Sequence, residues 1–209
     1  MLKFKKVKGN LIHKTAVINW KKIKIGKGNI IGPYVVIGNV PQWKNKKTVG
    51  KIEIGNKNTI NEYCNIHLPT NLKKKTYIGN NNYLMNSTTV DHDCYIENNV
   101  TLSSNVVLGG NVHIMKNSTI GIKSVIHQNQ VIGSFTMIGM GSIVTKKIKL
   151  KPGYVFYGKP VRQVKRNILA LNKYKINYKN LKKELNRFNK IRKSKWKILL
   201  YYYLTKKIL

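Results

Sequence analysis

Twelve aliphatic residues recur at every sixth position without a miss: Ile78, Leu84, Val90, Ile96, Leu102, Leu108, Ile114, Ile120, Ile126, Ile132, Ile138 and Val144. Six is a multiple of the strand period of two and drifts off any helical face, so each unit reads as a short strand followed by a corner. This is the signature of a hexapeptide β-helix. Two residues before each aliphatic stands a mostly small side chain (Thr88, Cys94, Val100, Val106, Val112, Ser118, Ser124, Thr136, Ser142), which suits a tight interior near a corner; Asn82 and Gln130 are imperfect members. The same beat runs earlier in pieces: Ile12 and Ile18, then Ile25, Ile31 and Ile37, then Ile54, Ile60 and Ile66.

The breaks after Ile37 and Ile66 hold polar, lysine-rich stretches, residues 39–51 and 68–76. Lys44-Asn45-Lys46-Lys47 and Lys73-Lys74-Lys75 do not suit a packed interior, so both stretches are expected as loops. Leu72 falls on the beat, and a strand there is the weaker competing reading. With three strands per coil and both loops extruded, residues 18, 37, 66, 90, 108, 126 and 144 share one face, and both loops leave from the corner after it. The next residue on that face is in turn His67, Asp91, Gly109 and His127, and the one after is His92, Gly110 and Gln128.

Asp91 and Asp93 are the only aspartates in a chain with 40 Lys+Arg against 6 Asp+Glu, and they flank His92. A carboxylate beside an imidazole fixes its tautomer and stabilises its protonated form, as a general base near neutral pH requires. Neighbouring strands lie about 4.8 Å apart, so the Gly110 N–H is expected close to His92, where it can meet a developing oxyanion. A base beside such a donor is the minimum equipment for acyl transfer.

A formal net charge of +34 points first to nucleic acid. No nucleic-acid motif is present, however, and the coil offers no basic groove with interleaved aromatics. Residues 78–144 hold two lysines against three acidic residues, whereas residues 161–209 hold sixteen Lys and Arg against Glu184 alone. Acidic partners of another kind fit better: a nucleotide diphosphate, an acidic carrier protein or an anionic membrane surface. Apolar residues at 161, 164, 168 and 171, then 178, 181, 185, 188 and 191, have the spacing of one helix face. Residues 161–209 are therefore expected as a basic helical extension that caps or flanks a coil domain of residues 1–160. The apolar patch Trp196–Leu209 is shorter than the roughly 20 residues of a membrane span and reads as a packing helix first, an interfacial anchor second. Cys64 and Cys94 fall on interior positions of different faces and are expected as reduced thiols. With no secretory signal at Met1–Lys6, a cytoplasmic protein is expected. The histidines at 13, 67, 92, 113 and 127 lack metal-ligand spacing, so no metal site is expected.

Several segments together resemble the bacterial acyl-carrier-protein-dependent UDP-N-acetylglucosamine 3-O-acyltransferases, over about Ile12 to Val144. They are Ile12-His13-Lys14-Thr15-Ala16, Ile31-Gly32-Pro33, Asn65-Ile66-His67, Leu84-Met85-Asn86, His92-Asp93-Cys94 and Val125-Ile126-His127-Gln128, with two loops of similar length. The resemblance implies an all-β, left-handed parallel β-helix with a C-terminal α-helical extension, assembled as a homotrimer with active sites between subunits. It implies acyl transfer from an acyl carrier protein to a UDP-N-acetylglucosamine-type sugar nucleotide in lipid A type biosynthesis, with the thioester as co-substrate and no resident cofactor. His92 matches the general base, Asp93 its orienting partner and Gly110 the oxyanion-hole glycine. His67, His127 and Gln128 match positions lining the substrate cleft, Met140 matches a stop for the acyl chain, and Gln42, Asn111 and Arg166 complete the substrate-binding candidates. Thr89 and Asn111 stand where the family usually carries further active-site histidines, and Pro41-Gln42-Trp43-Lys44 in the first loop lacks a sugar-binding aspartate. Gly153-Tyr154-Val155-Phe156-Tyr157-Gly158-Lys159-Pro160-Val161-Arg162 resembles the closing segment of acetyl-coenzyme-A-dependent sugar acetyltransferases. A nucleotide-amino-sugar N- or O-acetyltransferase is therefore the alternative, and a coil that binds without catalysis the second.

Overall fold

The six-residue beat folds as three parallel sheets wound into one left-handed coil. The computed structural model describes residues 3–42, 50–146 and 148–205, without the side chains of 196–205. Successive units pass from a ten-stranded to a seven-stranded to a six-stranded sheet and back. Each of the twelve aliphatics on the six-residue beat from Ile78 to Val144 lies in the interior, at most 1% exposed. Because the sheets are parallel, each interior side chain stacks on its counterpart one coil away: Ile66 on Val90, Val90 on Leu108, Leu108 on Ile126 and Ile126 on Val144. Ile18 on Ile37 and Ile37 on Ile66 extend the same column across the first loop, as the three-column count expects.

The corners explain the asparagine content. From Asn81 to Gly141 a residue with φ between 55° and 66° stands at every sixth position, and six of these eleven are Asn and one is Asp93. Asn and Asp enter the left-handed region at lower cost than other side chains. Asn82, out of place among small interior residues, is a rung of a buried ladder. Asn29 donates to Asn10 Oδ1 and Asn58 to Asn29 Oδ1, each through backbone and side-chain N–H, while the Asn82 N–H donates to Asn58 Oδ1. Gln130 is held by its own bond to the Thr145 carbonyl, 2.9 Å.

The loops are shorter than expected. Strands Val36–Asn39 and Lys51–Ile54 take both ends of the first, whose residues 43–49 lie outside the described residues. Strand Lys75–Ile78 takes the end of the second, because Lys75 continues the register with Lys51 and pairs with Glu53 on the outer surface. Leu72 is 68% exposed in a turn, so no strand forms there.

Both ends of the coil are closed by antiparallel strands, Phe4–Val7 on Asn10–His13 and Val161–Arg166 on Tyr154–Gly158. The second corrects the sequence reading, which took residues 161–166 as helix. Val161 is buried but Val164 is exposed, so their three-residue spacing marks an edge strand and not a helix face. Helix begins with α1 (Ile168–Lys173), capped by the Asn167 side chain, and continues as α2 (Tyr178–Thr205). Helix α2 folds back over the outside of the six-stranded sheet. Phe188, with Leu185 and Ile191, packs on Met115 and Val131. Arg187 makes two bonds to Glu97, and Glu184 takes Lys116 at 2.8 Å and Ser134 at 2.6 Å. Burial opposes the Glu97 charge, but His113 and Arg187 outweigh it and hold the carboxyl at about 2. No described helix is long and apolar enough to cross a membrane; the side chains of Trp196–Leu209, expected to pack or anchor, lie outside the described residues.

Candidate active site

The coil places its aspartates and three of its histidines at one corner, where the seven-stranded sheet hands over to the six-stranded one and from which both loops leave. His67, Asp91, Gly109 and His127 follow one another up the column, with His92, Gly110 and Gln128 one residue further out. His67 is buried and its Nδ1 lies 3.3 Å from Asp91 Oδ1. Burial raises the Asp91 carboxyl, yet His67 and the His92 N–H bond to it bring the net shift below its ordinary value.

His92 Nδ1 lies 2.9 Å from Asp93 Oδ2. With Asp93 ionised, Nδ1 carries the proton and Nε2 the lone pair, the tautomer a general base needs. Asp93 is itself fixed. It occupies a left-handed corner, φ 62°, and accepts the Thr70 N–H at 3.1 Å, the Thr70 O–H at 2.8 Å and the Lys74 ammonium at 3.2 Å. Burial works against its charge, but His92, Lys74 and Thr70 together hold the pKa at about 2. Thr70 and Lys74 come from the second loop, and no pattern in the sequence marks them as partners of Asp93.

Gly110 lies against the imidazole. A Cβ there would stand 2.3 Å from His92 Cε1 and 2.5 Å from Nε2, closer than real atoms approach, so only glycine leaves room for the ring. Among the described residues the Gly110 N–H makes no backbone hydrogen bond, while Gly109 donates to the Ile126 carbonyl and Asn111 to that of His92. An imidazole base and an available backbone donor on adjacent coils can take a proton from an attacking group and stabilise charge on a carbonyl oxygen. Among the described residues no group of three His, Cys, Asp or Glu is placed to hold a metal ion.

The family model for the bacterial transferase hexapeptide (six repeats) matches residues 75–110. The solved structure of LpxA, a UDP-N-acetylglucosamine acyltransferase from Bacteroides fragilis, is 30% identical, covers 85% of this chain and 69% of its own, and superposes with a TM-score of 0.77. The chain belongs to the hexapeptide-repeat acyltransferases. LpxA from Acinetobacter baumannii is similar at 28% identity, 81% of this chain and 77% of its own, TM-score 0.63. The Arabidopsis UDP-N-acetylglucosamine acyltransferase is similar at 25%, 83% and 78%, TM-score 0.69. No curated protein matches the chain in sequence.

In this acyltransferase, His67, His92, Asp93, Gly110, Asn111, His127 and Gln128 share the corner, with His127 half-buried and Gln128 exposed. Two other candidates lie apart within the protomer, and a third, Gln42, is in the first loop, which leaves from this corner. Met140, 67% exposed, stands at the opposite edge of the seven-stranded sheet, before the strand Ile143–Val144. Arg166 ends the closing hairpin, its guanidinium 5.5 Å from the Tyr154 ring. Gln42 is exposed at the edge of the described part of the first loop. Besides Thr70 and Lys74, a third residue without a mark in the sequence reaches the corner: Lys195 of α2, whose Nζ bonds the backbone carbonyl and Oδ1 of Asn111.

Proposed function

We propose that this acyltransferase moves an acyl group from a thioester to a hydroxyl of a UDP-N-acetylglucosamine-type sugar nucleotide, with His92 as general base. What supports this most is the Nδ1 bond from His92 to a fixed Asp93 while Gly110 faces the same ring. His92 Nε2 takes the hydroxyl proton as the oxygen attacks the thioester carbonyl carbon. The carbonyl electron pair moves onto oxygen, where the Gly110 N–H meets it. The C–S bond then breaks and the departing sulfur takes the proton back from the imidazolium. UDP-N-acetylglucosamine is the substrate named for the Bacteroides fragilis and Arabidopsis proteins. An acyl carrier protein is the proposed donor, since acidic carriers complement a chain of net charge +34, and lipid A type biosynthesis is the setting that follows. Thiol release measured with acyl-carrier-protein and coenzyme A thioesters across UDP and dTDP sugars tests the reading. Turnover with an acyl carrier protein and UDP-N-acetylglucosamine is expected; turnover with acetyl-CoA alone selects the acetyltransferase alternative, and none with any pair selects the binding coil.

A homotrimer is proposed with it. Tyr34 and Tyr63, then Ile122 and Met140, are the exposed apolar residues of a ridge along the corner between the ten- and seven-stranded sheets, with Asn86-Ser87 and Ser104-Asn105 on the two coils between them, beside exposed Val107, Val125 and Ile143. Such a ridge is a self-association surface. Light scattering is expected to give about three times the 24.0 kDa chain mass; a monodisperse monomer removes the shared-cleft arrangement.

Met140 limits the donor in this reading. The strands of Val90 and Val144 are three spacings apart, about 14 Å along the coil, so a long acyl chain lying on the seven-stranded sheet runs toward Met140. Each buried methylene contributes about 0.8 kcal/mol, and extra methylenes blocked by Met140 lose that gain. Met140→Gly is expected to shift preference toward longer acyl donors by at least roughly tenfold, about 1.4 kcal/mol. Unchanged chain-length preference rules out the ruler.

A further inference from the structure

Sixteen basic residues crowd the last part of the chain, and most face solvent. Lys195 does not. Helix α2 carries it to the His92 corner, where its ammonium donates to the Asn111 backbone carbonyl and, at 2.7 Å, to Asn111 Oδ1. Asn111 directly follows Gly110 and occupies a left-handed corner, φ 60°. Its N–H donates to the His92 carbonyl at 2.8 Å and its Nδ2 to Asn129 Oδ1 at 2.7 Å. One side chain from a distant helix thus fixes both oxygens of the residue that ties the Gly110 turn to the His92 backbone.

We propose that Lys195 is a positioning residue of the acyl-transfer site, which holds the Gly110–Asn111 turn in place against His92. The role rests on the function proposed above. Docking of α2 does not explain the placement, because Phe188, the Arg187–Glu97 pair and the Glu184–Lys116 pair already fasten the helix to the six-stranded sheet. The placement carries a cost: burial, and then the nearby charge of Lys74, push the ammonium down to about 8. A lysine turned to solvent avoids that cost. It is offset here by bonds to Asn111, and those bonds act on the turn that presents the oxyanion donor. Preorganised donors lose their effect when the supporting shell lets them move.

Two readouts test this. Lys195→Met keeps the length and loses the donors; kcat is expected to fall on the order of tenfold to a hundredfold with KM little changed, since small displacements of catalytic groups cost that much. Lys195→Cys is expected to lose as much, and 2-bromoethylamine, which rebuilds an ammonium of nearly the same reach on the introduced thiol, to restore most of it. Cys64 and Cys94 are buried with thiols pushed up to about 12, so they compete poorly for the reagent, and intact mass confirms a single addition. Amide exchange over residues 109–112 is expected to quicken in Lys195→Met and return to the parent rate after aminoethylation. Unchanged kcat, or a loss that verified aminoethylation does not restore, overturns the proposal. If the parent protein shows no acyl transfer with any thioester, the functional reading fails instead. The exchange rates then decide by themselves whether Lys195 holds the turn, and unchanged rates overturn it.

Discussion

His92→Ala is expected to lower turnover by a factor of about 10² to 10⁴ and leave the coil intact, the range for loss of a positioned general base. The side chain is buried, 7% exposed, but it packs at a corner against Asp93 and Gly110 and is not part of the interior stack of Ile66, Val90, Leu108 and Ile126. Its removal does not strand Asp93, which keeps the Thr70 N–H, the Thr70 O–H and the Lys74 ammonium. The fold loses the bond to Asp93, roughly 1.5–3 kcal/mol for a hydrogen bond to a charged group, together with the packing of a buried ring. Asp93→Asn separates orientation from basicity. It keeps the shape but loses the charge that holds the proton on Nδ1, so an intermediate loss of kcat is expected. Pre-steady-state and steady-state thiol release on a folded variant check this, and near-normal turnover of His92→Ala refutes the base assignment.

Much of the fold was legible because the period of six acts twice, once on the interior aliphatic and once on the corner. Any extruded segment of whatever length returns to the same column, so Ile37, Ile66 and Val90 could be aligned across two loops of unequal length. The site followed from the alignment: His92 and Gly110 are eighteen residues apart, one coil, and so become neighbours. Loop ends were less legible, since Lys51 and Lys75 are lysines that a buried strand would exclude but an exposed strand position accepts, with Glu53 beside them. Residues 161–166 misled for a related reason. An edge strand with five of six side chains exposed shows no alternation, and Val161 and Val164 then imitate a helical spacing. Farther along, Leu181, Leu185, Phe188 and Ile191 do form one face of α2, and its packing confirms the expectation that the tail flanks the coil. Lys195, Thr70 and Lys74 were not legible at all. Each joins the site through a contact distant in sequence, and a lysine among sixteen basic residues carries no local mark.

Gly110→Ala is expected to cost kcat on the order of 10² to 10³ while barely changing the melting temperature, because the three atoms nearest its methyl all belong to the His92 ring. The nearest atoms to a Cβ at Gly110 are His92 Cε1, Nε2 and Nδ1, at 2.3, 2.5 and 2.9 Å, and all three belong to a side chain able to swing outward. When it does, Nδ1 leaves Asp93 and Nε2 leaves the approach to the acceptor, so the base is lost while residue 110 keeps its N–H. Gly109→Ala is the contrast. Its Cβ would meet the Gln128 backbone N at 2.8 Å and the Ile126 carbonyl at 3.1 Å, and backbone in the next coil cannot swing away. That variant is expected to lower stability by about 1–3 kcal/mol, the range for overpacking, with activity lost only as the protein unfolds. If Gly110→Ala acts through His92, the double variant with His92→Ala is no slower than His92→Ala itself, since both changes remove one interaction. Additive losses, or a Gly110→Ala enzyme that works normally, mean that His92 and Gly110 do not act on the same reacting group.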